Sequence, residues 1–270
     1  MRAVRLRPEK ARGRRAATEM LRIENLQKSF GGVSAISDVS LHFAAGSLTA
    51  VIGPNGAGKT SFFNLIAGEL RPDGGRILLD GENIAGLPTP AIVRRGIGRA
   101  FQIASIFSSL TVREAILGAV NAHRRWYARV GRRFPLAEAQ AQADEVMELV
   151  GLTATADTVS GNLSHGDQKV LDIALALALD PRVLLLDEPT AGMGPEERWQ
   201  MMETVHQLWE RKQMTLIFIE HDMDIVFKFA QTIRVLSYGR VLAEGTPEEV
   251  RRHPKVIEAY LGAQYDAEHA

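Results

Sequence analysis

The sequence predicts an α/β fold with a mostly parallel sheet covered on both faces, on three observations. Residues 51–70, VIGPNGAGKTSFFNLIAGEL, pass from an apolar strand through a glycine-rich turn into a helical pattern. Residues 182–189, RVLLLDEP, form an unbroken apolar strand that ends in two carboxylates. From residue 195 to 245, helical and strand patterns alternate, the chain order that builds parallel sheets through helical crossovers.

The elements follow in order. LRIENLQKSF (21–30) and VSLHFAAGSLTAVIG (39–53) carry β-branched and apolar residues and are broken by the FGG and AAGS turns, giving a β-rich entrance to the glycine-rich turn. RPDGGRILLDGENI (71–84) reads as turn, strand and turn, and TPAIVRRGIGRAFQ (89–102) as a short helix running into a strand. Helical spacing and good helix formers in AEAQAQADEVMELV (137–150) and QKVLDIALALAL (168–179) place a mostly helical subdomain at 103–170. The strand RVLLLDEP comes next, followed by helix 195–212, strand TLIFIE (215–220), helix 223–230, strand TIRVLS (232–237), a turn at YGR and strand VLAEG (241–245).

Composition excludes several classes. A chain of 270 residues buries a substantial core, and 32 Lys plus Arg balance 32 Asp plus Glu, so no global charge points to nucleic acid. There is no apolar run of 18 residues and no signal-peptide core at the start, and with no cysteine there are no disulfides or thiolate metal sites; a reducing cytoplasm suits this pattern. Residues 1–19 open with MRAVRLRPEKARGRRAAT and read as a disordered basic tail, with a transit peptide or an anionic-surface contact as alternatives. HRRWYARVGRRF (123–134) holds five Arg and reads as a solvated linker, with contact to headgroups or to a membrane partner's loops as the alternative.

The chemistry concentrates in a few turns. Gly53, Gly56 and Gly58 allow the backbone to curl its N–H groups inward without a Cβ in the way, and Phe62, Leu65 and Ile66 continue as a helix whose positive end faces the same point. The string Gly53, Pro54, Asn55, Gly56, Ala57, Gly58, Lys59, Thr60, Ser61 fits a phosphate loop, with Lys59 for the β and γ phosphates and the Thr60 hydroxyl for Mg²⁺. Adjacent strand residues point to opposite faces, so Asp187 is assigned to Mg²⁺ and Glu188 to an attacking water as general base. Ser164 and Asp167, just before a long apolar helix, are explained by N-capping alone or form a second anion site.

The phosphate loop, Phe101–Gln102, LSHGD (163–167), LLLDEP (184–189) and EHD (220–222), in this order, closely resemble the ATP-binding cassette ATPases over residues 20–262, leaving 263–270 as a tail. The resemblance implies a P-loop NTPase core with an antiparallel β subdomain and a helical subdomain. It also implies a head-to-tail dimer in which Ser164 and Gly166 reach the partner's γ-phosphate. Gln102 resembles the residue that senses Mg²⁺ or the lytic water, His221 the histidine that contacts the γ-phosphate, and Phe30 the aromatic that stacks on adenine. The chain departs from the family pattern at His165 and Asp167 in the signature and at Gly194, which stands where many relatives have Asp.

LSHGDQ, IEHDMDIVF, RVLAEGTPEEV and HPKVIEAYLG are similar to the ATPases of branched-chain amino acid importers and their relatives for urea, amides or aromatic acids. That likeness implies two transmembrane permease subunits, a second ATPase subunit, a periplasmic solute-binding protein and a peripheral position on the cytoplasmic membrane face. It implies no nucleic acid partner. The alternatives are lipopolysaccharide or lipid export and a soluble, non-transport cassette.

Overall fold

A computed structural model describes residues 19–100, 107–124 and 137–260. The basic tail, Phe101, Gln102, most of the arginine-rich segment and residues 263–270 lie outside the described residues. Two sheets organise the chain. The first is antiparallel, in the order β2-β1-β4-β5, from β1 (Glu19–Phe30), β2 (Val33–Ala44), β4 (Gly74–Leu79) and β5 (Glu82–Asn83). The second runs β10-β9-β3-β8-β7-β6, from β3 (Leu48–Ile52), β6 (Ile97–Ala100), β7 (Val183–Asp187), β8 (Thr215–Ile219), β9 (Thr232–Ser237) and β10 (Arg240–Gly245). Its first five strands from the β6 edge are parallel, and β10 closes the other edge antiparallel to β9.

The parallel strands are mostly apolar because both faces are covered. On β7, Leu184 and Leu186 enter one core with the helices α3 (Val112–Arg124), α4 (Ala137–Val150), α5 (His165–Leu177) and α6 (Pro195–Lys212). Val183 and Leu185 enter a second core with α1 (Lys59–Ala67) and the inner face of the antiparallel sheet. The period of two thus sends alternate residues of one strand into two cores, each fully buried aliphatic side chain contributing about 1.5–3 kcal/mol. The short helices α2 (Thr89–Arg94), α7 (Met223–Phe229) and α8 (Pro247–Arg251) complete the labelled elements.

One sequence boundary shifts. Glu19 already pairs with Ala44 in β1, so the strand starts one residue inside the tail assigned from sequence. Helix α5 runs to Leu177, as the helical pattern over 168–179 predicts, with Leu171, Ile173, Ala174 and Leu177 buried against the sheet core. Among the described residues, no helix is long and apolar enough to cross a membrane.

Candidate nucleotide site

Strand β3 delivers the glycine-rich turn to the C-terminal edge of the parallel sheet, and α1 leaves from it. Two glycines are required there. At Gly58 φ is +99°, and a Cβ would sit 2.4 Å from the Ala35 carbonyl oxygen; at Gly53 a Cβ would sit 2.1 Å from that of Leu236. The turn therefore closes against β2 and β9 with backbone alone. Lys59 folds over it, its Nζ donating to the carbonyls of Gly53 (2.8 Å) and Pro54 (3.2 Å). The ammonium is buried, which pushes its pKa down against the opposing pull of Glu188 and then Asp187.

A cleft of about 250 Å³ opens over the turn, lined by Asn55 through Ser61, Ala35, Glu188 and His221. Strand β7 ends at Asp187, and Glu188 follows with φ +49°, a left-handed backbone rare for a side chain of this size. The chain thus leaves the strand at Glu188 itself, where the sequence pattern predicts a continuing pleat. The Glu188 N–H donates to Ile219 (3.0 Å), which anchors that turn on β8. The Glu188 carboxylate meets His221 Nε2 at 2.8 Å.

Asp187 is buried and engaged. Its Oδ2 accepts from Arg99 Nη2 at 2.9 Å, and Arg99 Nη1 donates to Asn64 (2.6 Å) and Glu69 (2.8 Å). Arg99 therefore ties the strand end to α1. Sequence reasoning missed this residue, and its only signal is an arginine in a strand, IGRA, that is otherwise small and apolar. It also missed Asp172 on α5, which lines a small cavity with Asp187 and Lys169 and whose pKa burial pushes up to about 6.

The remaining candidates stand apart from the cleft lining. Phe30, at the end of β1, is 46% exposed, so it is not a packed core residue, and the Lys28 ammonium lies 5.4 Å from its ring centroid. Ser164 caps α5: its Oγ accepts from the Asp167 N–H (3.1 Å) and donates to the Asp167 carboxylate (2.8 Å). Gly166 follows in the first turn, and exposed His165 sets its Nε2 3.1 Å from where a Cβ on Gly192 would be.

A phosphate loop opening a helix, with an Asp–Glu pair at a strand end and a histidine just past the neighbouring strand beside it, defines a P-loop nucleoside triphosphatase. The chain belongs to the ABC transporter family, and it is an ATP-binding, ATP-hydrolysing subunit of that family. The family model described as "ABC transporter" matches residues 36–191, and one described as "Branched-chain amino acid ATP-binding cassette transporter" matches residues 240–266. The chain is 39% identical over 249 residues to the high-affinity branched-chain amino acid transport ATP-binding protein BraF of Pseudomonas aeruginosa, covering 90% of this chain and 98% of that one. It is 38% identical over 249 residues to LivG of Escherichia coli, described in the same words, with the same coverage. A crystal structure of a nucleotide-free ATP-binding cassette from an ABC transporter superposes with a TM-score of 0.79 at 31% identity, over 90% of this chain and 98% of that chain.

Proposed function

We propose that this chain drives import of branched-chain amino acids or a chemically related small solute, as a peripheral subunit on the cytoplasmic membrane face. Its partners are two transmembrane permease subunits, a second ATPase subunit, and, indirectly, a periplasmic solute-binding protein. The observation that carries this reading is the branched-chain match at the C-terminal segment, residues 240–266, outside the part common to cassette ATPases. A strain lacking the chain should lose uptake of labelled leucine, with rescue by the parent gene and none by a Lys59→Ala copy. Unchanged leucine uptake alongside loss of another solute would transfer the assignment to that solute.

In this reading Glu188 takes a proton from a water that attacks the γ-phosphorus as the bond to the β-γ bridging oxygen breaks, releasing ADP and phosphate. His221 holds the Glu188 carboxylate in place and offers its ring to the γ-phosphate. Lys59 releases the Gly53 and Pro54 carbonyls for phosphate oxygens, Asn55 through Ser61 supply backbone donors, and Phe30 stacks on the base. Mg²⁺ fits the donor set: Thr60 and Asp187 supply hard oxygens, and Gln102 is assigned the same role. Bound there, the ion neutralises charge on the phosphates. Residues 20–262 form the cassette, with residues 103–170 as its helical subdomain. Glu188→Gln should keep ATP binding and slow turnover at least about a hundredfold, measured as steady-state phosphate release. Parent-like turnover would remove the base from this residue.

A further inference from the structure

Strand β8 delivers one more carboxylate to this edge of the sheet. Glu220 is 4% exposed, and burial pushes its pKa up against the downward pull of its hydrogen bonds. Those bonds come from neutral donors: Oε1 accepts from the Thr190 N–H (3.0 Å) and hydroxyl (2.7 Å), and Oε2 from the His221 N–H (3.2 Å). Setting a carboxylate among neutral donors at this depth is costly, and an apolar or hydroxyl side chain would end the strand at lower cost. Stability alone therefore does not account for it.

The connections close a ring. Glu188 leads through Pro189 to Thr190, Thr190 bonds Glu220, Glu220 is followed by His221, and the His221 ring returns to Glu188 at 2.8 Å. Glu188 sits at φ +49°, a conformation that persists only where its surroundings hold it. The Ile219 carbonyl holds it on one side, and the grip of Glu220 on Thr190 holds the chain two residues on. Thr190 passes the constraint along, its carbonyl accepting from Met193 N–H at 3.2 Å just before Gly194.

We propose that Glu220 is a positioning residue for hydrolysis, locking Thr190 and the His221 backbone into one frame so that Glu188 and His221 meet the nucleotide as a unit. The proposal rests on Glu188 being the base. It assigns Glu220 no contact with nucleotide, so losing it should act on turnover and leave ATP affinity alone.

The test uses the full chain with Glu220→Gln, Glu220→Ala, Thr190→Val and Glu188→Gln, reading kcat, ATP affinity by calorimetry and melting temperature. Glu220→Gln turns an amide donor toward one of its two donor partners. It should lower kcat about tenfold with ATP Kd within about twofold of the parent, and Thr190→Val, which keeps its N–H bond, should lose about threefold. In the Glu188→Gln background neither substitution should slow the residual rate further, because residues acting as a unit are not additive. A purely structural carboxylate would instead lower kcat, affinity and melting temperature together, with losses that multiply in that background. If Glu220→Ala does not fold, Glu220→Gln and Thr190→Val still decide. Parent-like kcat in both, with Glu188→Gln at least a hundredfold slower, overturns the role of Glu220 and leaves the base in place. Parent-like turnover in Glu188→Gln removes the base itself, and the frame with it.

Discussion

The phosphate loop and the signature turn both present a helix N-terminus, yet they are built in opposite ways. The phosphate loop is enclosed: Gly53 and Gly58 press against the Leu236 and Ala35 carbonyls, Lys59 is buried across the turn, and Glu188 and His221 complete the cleft within one chain. The signature turn is open, with Ser164 exposed and its hydroxyl spent on Asp167. The phosphate loop thus sits in a cleft lined from one chain. The Ser164 hydroxyl is held by a carboxylate of its own turn.

The same substitution should separate the two most sharply. Gly53→Ala places a Cβ 2.1 Å from a backbone oxygen, and should cost about 3 kcal/mol or more or prevent folding. Gly166→Ala meets nothing nearer than Ser164 Oγ at 3.9 Å, in a helix where Ala is preferred, and should raise stability by up to about 1 kcal/mol. Equal denaturation midpoints for the two variants would show that the two turns are equally constrained.

Lys59→Ala comes next in size. It removes the cation from a cradle of neutral amides, so ATP affinity by calorimetry should fall about tenfold or more, the worth of a charge-assisted bond. An affinity matching the parent's would contradict the assignment of Lys59. Asp167→Gln should have the smallest effect, and it runs the other way. It frees the Ser164 hydroxyl from a carboxylate that repels an incoming γ-phosphate, so ATP-dependent association should tighten about two- to fivefold, read by sedimentation. Losing an acid from the first turn of α5 should cost about 0.3–1 kcal/mol of stability. Weaker association in this variant would show that Asp167 serves the interface.

How far each region was legible in the sequence follows from how local its construction is. The phosphate loop is nine contiguous residues with a helix behind them, so glycine spacing and apolar periodicity were enough. The order of strands and helices was legible for the same reason, since alternating cores leave unbroken apolar runs such as VLLL. Arg99 and Glu220 were not legible. Their partners lie 88 and 30 residues away, and only the pairing of β6, β7 and β8 brings them together. The turn at Glu188 escaped as well, because a left-handed φ on a glutamate has no compositional mark. For Ser164 the local pattern left an N-cap and an anion site as alternatives, and the structure shows the cap; the contact with a partner's γ-phosphate is what the family resemblance implies.

On the head-to-tail arrangement that the family resemblance implies, we propose that each nucleotide is held by one chain's phosphate loop and closed by another chain's Ser164. Mixing Lys59→Ala and Ser164→Arg chains at concentrations where crosslinking shows mixed dimers tests it most directly, because each mixed dimer has one intact site and one doubly broken site, and neither variant alone has any. The mixture should hydrolyse ATP faster than either variant alone and more slowly than the parent. Mixed dimers that form without restoring hydrolysis would contradict it.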